Sequence, residues 1–285
     1  MHIATRTNRQ HIVLVMEDLD AAGFSRRPHH ANNDQIKAML HWLADFHALF
    51  LYDTRFDHIN DTSTNQRRHG AQDQIPTKSP TKSPTKSPTK SPTKSPTKSP
   101  TQWPIPDLWP VGTYWHLETR PDEWHAMPDG PLKNHAEAID QALRDCPFQT
   151  LVHGDAKLAN FCFADPNAPT TPSHPVAAVD FQYVGAGPGI RDVLYMLGSC
   201  VDDETLQRQL PRYLDTYATR LKNEIQRLHP HLDGKTIWQH WHALVPIAFA
   251  DFERFLAGWA PSHIKRTKLS HTMTQQALNE IQTRT

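Results

Sequence analysis

Residues 76–99 read PTKS six times in succession. A proline at every fourth position removes a backbone donor each time and fixes φ at about −65°, so the stretch can enter neither a helix interior nor a central strand. The fold must therefore be assembled from the segments on either side of an extended, solvated tether over 76–101. The expected organisation is 1–19, 20–75, the tether, and 102–285. Two roles suit the tether. One is an insertion tolerated because lengthening a surface loop costs little closure entropy; the other is a proline-directed phosphorylation or docking tract.

The repeat also distorts the composition. A hydrophobic share of 38% is low for 285 residues, but the repeat contributes none of it, and the remainder has ample length to bury a core. Six of the 30 basic residues lie in the repeat, so the other 24 face 30 acidic ones, a balance of −6. That mildly acidic body offers no electrostatic footprint for nucleic acid. Cys146, Cys162 and Cys200 are odd in number and lack zinc or disulfide spacing, which reads as reduced thiols. The N-terminus has no signal-peptide core and no run of about 18 apolar residues occurs, so the expectation is a cytoplasmic chain with no membrane partner.

The apolar run at 10–16, QHIVLVM, predicts a buried strand that leaves into the acidic EDLD. Apolar residues at Ile36, Met39, Leu40, Leu43, Phe46 and Phe50 recur at threes and fours, predicting a helix over 34–51 capped by Asn32 or Asn33. Asp45 and His47 are polar residues on that helix and need another explanation. A helix is expected over 131–143, then the strand QTLV, the loop HGDAKLAN, the strand FCF, a proline-rich hairpin and VAAVDF. Helices are expected over 190–200, 204–228, 236–259 and 264–282. The fold class is α+β, with a few central strands and a helical C-terminal half.

HGDAKLAN and the following VDF carry the chemistry. A carboxylate can orient and deprotonate a hydroxyl, while a second carboxylate and an amide oxygen can hold a hard divalent cation. In that reading Asp155 is the base, Asn160 and Asp180 are metal ligands, and Lys157 lies against a transferring phosphate.

A histidine, an aspartate two on, an asparagine five further, an apolar strand and an Asp-Phe pair resemble the catalytic and metal loops of the protein-kinase-like superfamily. Gly154 in HGD and Gln182 in DFQ are similar to the aminoglycoside phosphotransferase and choline kinase-like branch, which includes the ecdysteroid-kinase-like group. LVMEDLDAAGF resembles the last strand of the smaller lobe and the hinge that holds adenine, so Met16, Glu17, Asp18 and Leu19 would bind the nucleotide. LADFHA resembles the helix before the catalytic region, and GPGIRDVLYML the helix after the metal loop. The resemblance implies a protein-kinase-like fold, mainly its helical larger lobe. It further implies ATP and Mg²⁺ as cofactors, a small-molecule hydroxyl acceptor, a supporting role for His153, and Asp192 bracing the catalytic loop through backbone N–H groups.

The resemblance also calls for a glycine-rich loop and a strand lysine over the phosphates. The fifteen residues before Met16 contain neither glycine nor lysine. Met1 therefore reads as an internal start, and a poor catalyst is expected because positioning supplies most of the barrier reduction. A lone strand at 10–16 would expose unpaired edges and invite self-association. A non-catalytic pseudokinase or interaction module is the alternative. A metal hydrolase built on some of the 19 histidines is a third reading, for which no HExxH or similar spacing exists. Tryptophans at 103–124 and 238–259, with Asp251 and Glu253 nearby, would suit a cationic acceptor.

Overall fold

The computed structural model describes residues 4–8, 11–53, 108–168 and 172–284. The expectations for the PTKS tether and for most of 53–107 lie outside them. In chain order the strands are β1 Ala4–Asn8, β2 His11–Val15, β3 Tyr52–Asp53, β4 Phe148–Val152, β5 Phe161–Phe163, β6 Val176–Ala178 and β7 Gly185–Gly187. The α-helices are α1 Asn33–Leu49, α2 Pro121–Ala126, α3 Pro131–Asn134, α4 Ala136–Arg144, α5 Ile190–Cys200, α6 Asp203–Leu228, α7 Gly234–Ala243, α8 Val245–Trp259 and α9 Lys268–Arg284. The class is α+β, helix-rich with three small sheets.

α1 starts where a reciprocal cap forms. Asn32 Oδ1 accepts from Gln35 N–H while Gln35 Oε1 accepts from Asn32 N–H, both at 2.9 Å, which satisfies two orphan donors of the first turn. Its apolar stripe, Ile36, Met39, Leu40, Leu43 and Ala48, is buried. Leu40 and Leu43 are fully buried, each contributing about 1.5–3 kcal/mol of transfer free energy. The two polar residues on this helix reach different partners. Asp45 holds Arg220 of α6 in a two-pronged pair at 2.6 and 2.9 Å, and His47 turns inward toward α5.

Two helices expected to be continuous are broken. The 236–259 stretch divides at Leu244 because Pro246 has no N–H to donate and its ring crowds the carbonyl four residues back; proline instead occupies the first turn of α8. The 131–143 stretch divides at His135, whose Nδ1 bonds the Pro131 carbonyl at 2.8 Å. The strand at 10–16 is not alone: His11–Val15 pairs antiparallel with Ala4–Asn8. ATRTN gave no warning because it lacks apolar alternation.

β4 is the central strand of a three-stranded antiparallel sheet, between β3 and β7. β7, sequence GAG, went unforeseen because glycine weakens a strand. It is admitted here by close approach: a Cβ on Gly185 would sit 2.2 Å from the Trp109 carbonyl oxygen. β5 pairs with β6. The chain from β4 into β5 is thus one short loop, and the residues after β6 return beside it.

The helical half is pinned by a buried charge cluster. Asp251 of α8, 1% exposed, receives Arg191 of α5 and Arg254 at 2.7 Å each and the Trp115 indole N–H at 2.8 Å. Burial would push this carboxyl up, but Arg254, Arg191 and the indole outweigh it and hold the pKa below the ordinary value. Glu253, also buried, takes Arg266 at 2.7 Å, Ser270 at 2.9 Å and His271 at 3.0 Å. The expectation that these two carboxylates face a cationic acceptor is therefore corrected: both charges are spent inside the protein. Asp251→Asn would leave two buried guanidiniums without a counter-charge. Its expected cost is about 3–5 kcal/mol in urea-unfolding free energy; a loss below about 1 kcal/mol would show that the cluster does not hold the helices together.

Candidate active site

The loop 153–160 leaves β4 and enters β5, so two strand ends fix its termini. Gly154 sits at φ +78°, and a Cβ there would meet the Tyr183 carbonyl oxygen at 2.3 Å, so the middle residue of HGD must be glycine. The bend aims the N–H groups of His153 and Gly154 at one carboxylate, Asp192 of α5, at 2.5 and 3.1 Å. His47 Nε2 of α1 donates to the same carboxylate at 3.2 Å, and His47 Nδ1 meets the Tyr217 hydroxyl of α6 at 2.8 Å.

Burial favours a raised pKa at Asp192. The hydrogen bond from His47 and the electrostatic pull of its ring, with the backbone N–H of His153, outweigh it and hold the carboxyl below its ordinary 3.8. His153 spans the loop: its Nε2 donates to the Val179 carbonyl at 2.9 Å, and its Nδ1 accepts from Asp155 N–H at 3.3 Å. The ring is a strut between the loop and the segment that carries Asp180.

Asp155 is 3% exposed as a residue and has two unlike oxygens. Oδ2 receives Lys157 Nζ at 2.7 Å and Asn160 Nδ2 at 3.1 Å. Oδ1 is buried with no hydrogen-bond partner among the described residues, and the residue lines a cavity of about 360 Å³. The Asn160 amide N–H₂ is committed to Asp155, reaching its backbone oxygen at 2.8 Å as well, which leaves Asn160 Oδ1 as the atom available to a cation. Val179 N–H donates to the Asn160 carbonyl at 2.9 Å, so Asp180 is one residue from a direct backbone bond to Asn160. Asp180 is exposed, its carboxylate has no partner among the described residues, and it alone of the described non-glycine residues takes positive φ, +66°. Such a conformation costs about 1–3 kcal/mol and persists only where surrounding structure enforces it.

Asp155, Lys157 and Asn160 are thus in mutual contact, and the residue before Asp180 is bonded to this loop through both its backbone N–H and its carbonyl. The site residues of the N-terminal segment are elsewhere in character. Met16 is 67% exposed; Glu17 and Asp18 are exposed and Leu19 half-buried. Asp18 Oδ1 caps a turn by accepting from Asp20 and Ala21 N–H, after which Arg26 pairs with Phe163 of β5. An aromatic wall lines the cavity beside Asp155: Tyr114, Phe252 and Trp259 come from the two tryptophan-rich stretches singled out in the sequence, while Tyr195 and Lys265 lie outside them and were missed. Tyr195 O–H donates to Tyr114 at 3.3 Å, and its hydroxyl also interacts with the Asp155 carboxylate. Burial first, then neighbours including Asp155, pushes the Tyr114 hydroxyl up to about 12 and that of Tyr195 higher still. Both remain protonated donors. They come from distant parts of the chain, and no spacing pattern announces them.

Residues 1–230 match the ecdysteroid kinase-like family, EcKL. The chain belongs to that family. The match contains the whole loop, Asp180 and the Asp192 brace, and stops before Trp259 and Lys265. No curated protein and no solved structure matches the chain. Membership in the ecdysteroid kinase-like family places it in the protein-kinase-like superfamily and points to kinase-like phosphotransfer to small molecules.

No helix of the described residues is long and apolar enough to cross a membrane. Among the described residues no group of three or more His, Cys, Asp or Glu comes together to hold a metal. The hydrolase reading therefore has no multi-ligand centre to rest on. A magnesium site needs fewer protein donors, because that ion keeps water and substrate phosphates as ligands. An amide oxygen and a free carboxylate, both hard oxygen donors, fit it.

A carboxyl depressed in the folded state contributes stability that is full above its unfolded pKa and is lost as pH falls through the folded one. Asp192→Asn should therefore lower unfolding free energy by about 1.5–3 kcal/mol near neutrality. The deficit should shrink in acid, below the ordinary 3.8. Paired urea titrations across that range read it directly, and a deficit that does not vary with pH would remove Asp192 from the role of charged brace.

Proposed function

We propose that the chain is an ATP- and Mg²⁺-dependent phosphotransferase moving a γ-phosphate to the hydroxyl of a small molecule. The observation that carries this reading is the divided Asp155 carboxylate beside a cavity: Oδ2 is fixed by Lys157 and Asn160, while Oδ1 is buried without a hydrogen-bond partner among the described residues. A buried acceptor without a donor costs about 1–3 kcal/mol, and an incoming hydroxyl would relieve it. Oδ1 takes the hydroxyl proton as the acceptor oxygen bonds to the γ-phosphorus and the bond from phosphorus to the ADP oxygen breaks. Lys157, anchored on Oδ2, lies where it can also face the transferred phosphoryl oxygens. Asn160 Oδ1 and Asp180 would hold the magnesium ion, which when bound neutralises phosphate charge. Met16 to Leu19 form the exposed connection on which adenine would rest, as the hinge between a smaller and a larger lobe.

The second half of the reading concerns rate. Residues 1–15 hold no glycine and no lysine with which to cover phosphates as a glycine loop and strand lysine do, and slow turnover is part of the proposal on that ground. The same observation favours the alternative, a non-catalytic pseudokinase. The β1–β2 hairpin has no third strand among the described residues, and its outer edges are where we place self-association. Sedimentation of the full chain against a version starting at Leu19 tests that; identical masses would dismiss it.

Thermal stabilisation by ATP with Mg²⁺ is expected for the full chain and should disappear in Asp180→Ala. Phosphate transfer, however slow, should fall roughly 10²–10⁴-fold in Asp155→Ala. Stabilisation that survives Asp180→Ala argues against the metal assignment. An unchanged rate in Asp155→Ala gives the case to the pseudokinase.

A further inference from the structure

The cavity beside Asp155 shares a wall with another. The second, about 370 Å³, lies among α5, α8 and the start of α9 and is lined by apolar groups such as Leu194, Val201, Leu206 and Phe249. Tyr195, Phe252 and Lys265 line both.

Charge around the two cavities is settled at every position but one. Asp202 caps α6 through Thr205 N–H at 2.9 Å, and Asp203 accepts from Leu269 N–H at 3.4 Å. Glu253 and Arg191 are spent on the buried pairs described above. Lys265 stands apart. Its Nζ lies 4.8 Å from the Tyr195 ring centre and 5.9 Å from that of Phe252, with no carboxylate paired to it among the described residues. Burial, followed by the opposing pulls of Asp155 and Lys157, leaves its pKa below that of an ordinary lysine. An ammonium moved off water onto aromatic faces keeps part of its stabilisation through the rings but retains unused donors. Asp155 and Lys157 pair with each other, so among the Asp, Glu, Lys and Arg residues lining the cavity the charge of Lys265 is left unbalanced. A cationic ligand would meet that charge; an anionic one would complete it.

We propose that Lys265 is a specificity-determining residue that binds a carboxylate on the acceptor, with the acceptor's hydroxyl at Asp155 Oδ1 and its apolar remainder in the second cavity. The substrate class is an amphipathic hydroxy acid. Hydroxyl and carboxylate must lie a few bonds apart, because Asp155 and Lys265 border the same cavity of about 360 Å³. The word acceptor rests on the phosphotransferase reading; the anion site does not.

The test titrates the full chain with β-hydroxydecanoate and with its uncharged methyl ester, reading thermal stabilisation with and without ATP and Mg²⁺. The wild type should bind the acid roughly tenfold or more tightly than the ester, the scale of a charge-assisted hydrogen bond. Lys265→Met should bring the ratio to about one, and Lys265→Arg, which keeps the charge, should retain it. Lys265 lies on the connection between α8 and α9, and circular dichroism checks that both variants keep the fold. Equal affinities in the wild type, a preference that persists in Lys265→Met, or binding of neither ligand would overturn the proposal. Acid preference without any response to ATP and Mg²⁺ would sink the phosphotransferase reading and leave the anion site standing; the reverse outcome would do the opposite.

Discussion

One carboxylate, Asp192, organises the active loop. It accepts from two consecutive backbone N–H groups of the loop and from a histidine that is itself held by Tyr217. The chain then turns at Gly154, whose φ of +78° and contact with the Tyr183 carbonyl oxygen leave no room for a side chain. The carboxylate is fully desolvated, so the arrangement stands only because every donor is present together. α1, α5, α6 and β4 meet at this point, and the position of Asp155 follows from it. The loop is thus located by the packing of the helical body rather than by its own local preferences.

From that anchor the two carboxylates of the reading are placed by different means. Asp155 follows Gly154 directly and is then clamped from one side by Lys157 and Asn160. Asp180 is reached indirectly: His153 bonds the Val179 carbonyl and Asn160 bonds the Val179 N–H, so both backbone groups of the residue before Asp180 are tied to the loop. The backbone strain at Asp180 is sustained by those two bonds. Both carboxylates therefore end with unmet capacity, one as a buried orphan oxygen and one as an exposed group without a partner among the described residues.

Much of this was legible in the sequence where chemistry and spacing coincide. The helix 34–51 showed through its apolar period and its asparagine cap, and the loop HGDAKLAN through residue types at fixed offsets between two apolar runs. His47 and Asp45 could be flagged as misfits on a helical face but not explained, because Asp192 and Arg220 lie 145 and 175 residues away. The β3 and β7 strands left no signal, since two or three residues, one of them GAG, show no alternation. Asp251 and Glu253 misled for a different reason. An acid next to aromatic residues reads the same whether it faces a ligand or an arginine, and only the fold brings Arg191 and Arg266 to them.

The aromatic wall completes the physical argument. Tyr114, Tyr195, Phe252 and Trp259 exclude water from one side of Asp155, which strengthens electrostatic interactions there. Two of them also keep protonated hydroxyls at the cavity, since burial drives their pKa values up. A site so lined can hold one carboxylate as a base only if its charge is balanced, and Lys157 does that by pairing at 2.7 Å. Lys265 then exceeds what Asp155 requires. Its positive charge, beside the aromatic rings of Tyr195 and Phe252 at the same cavity as Asp155, is the feature we propose selects the acceptor.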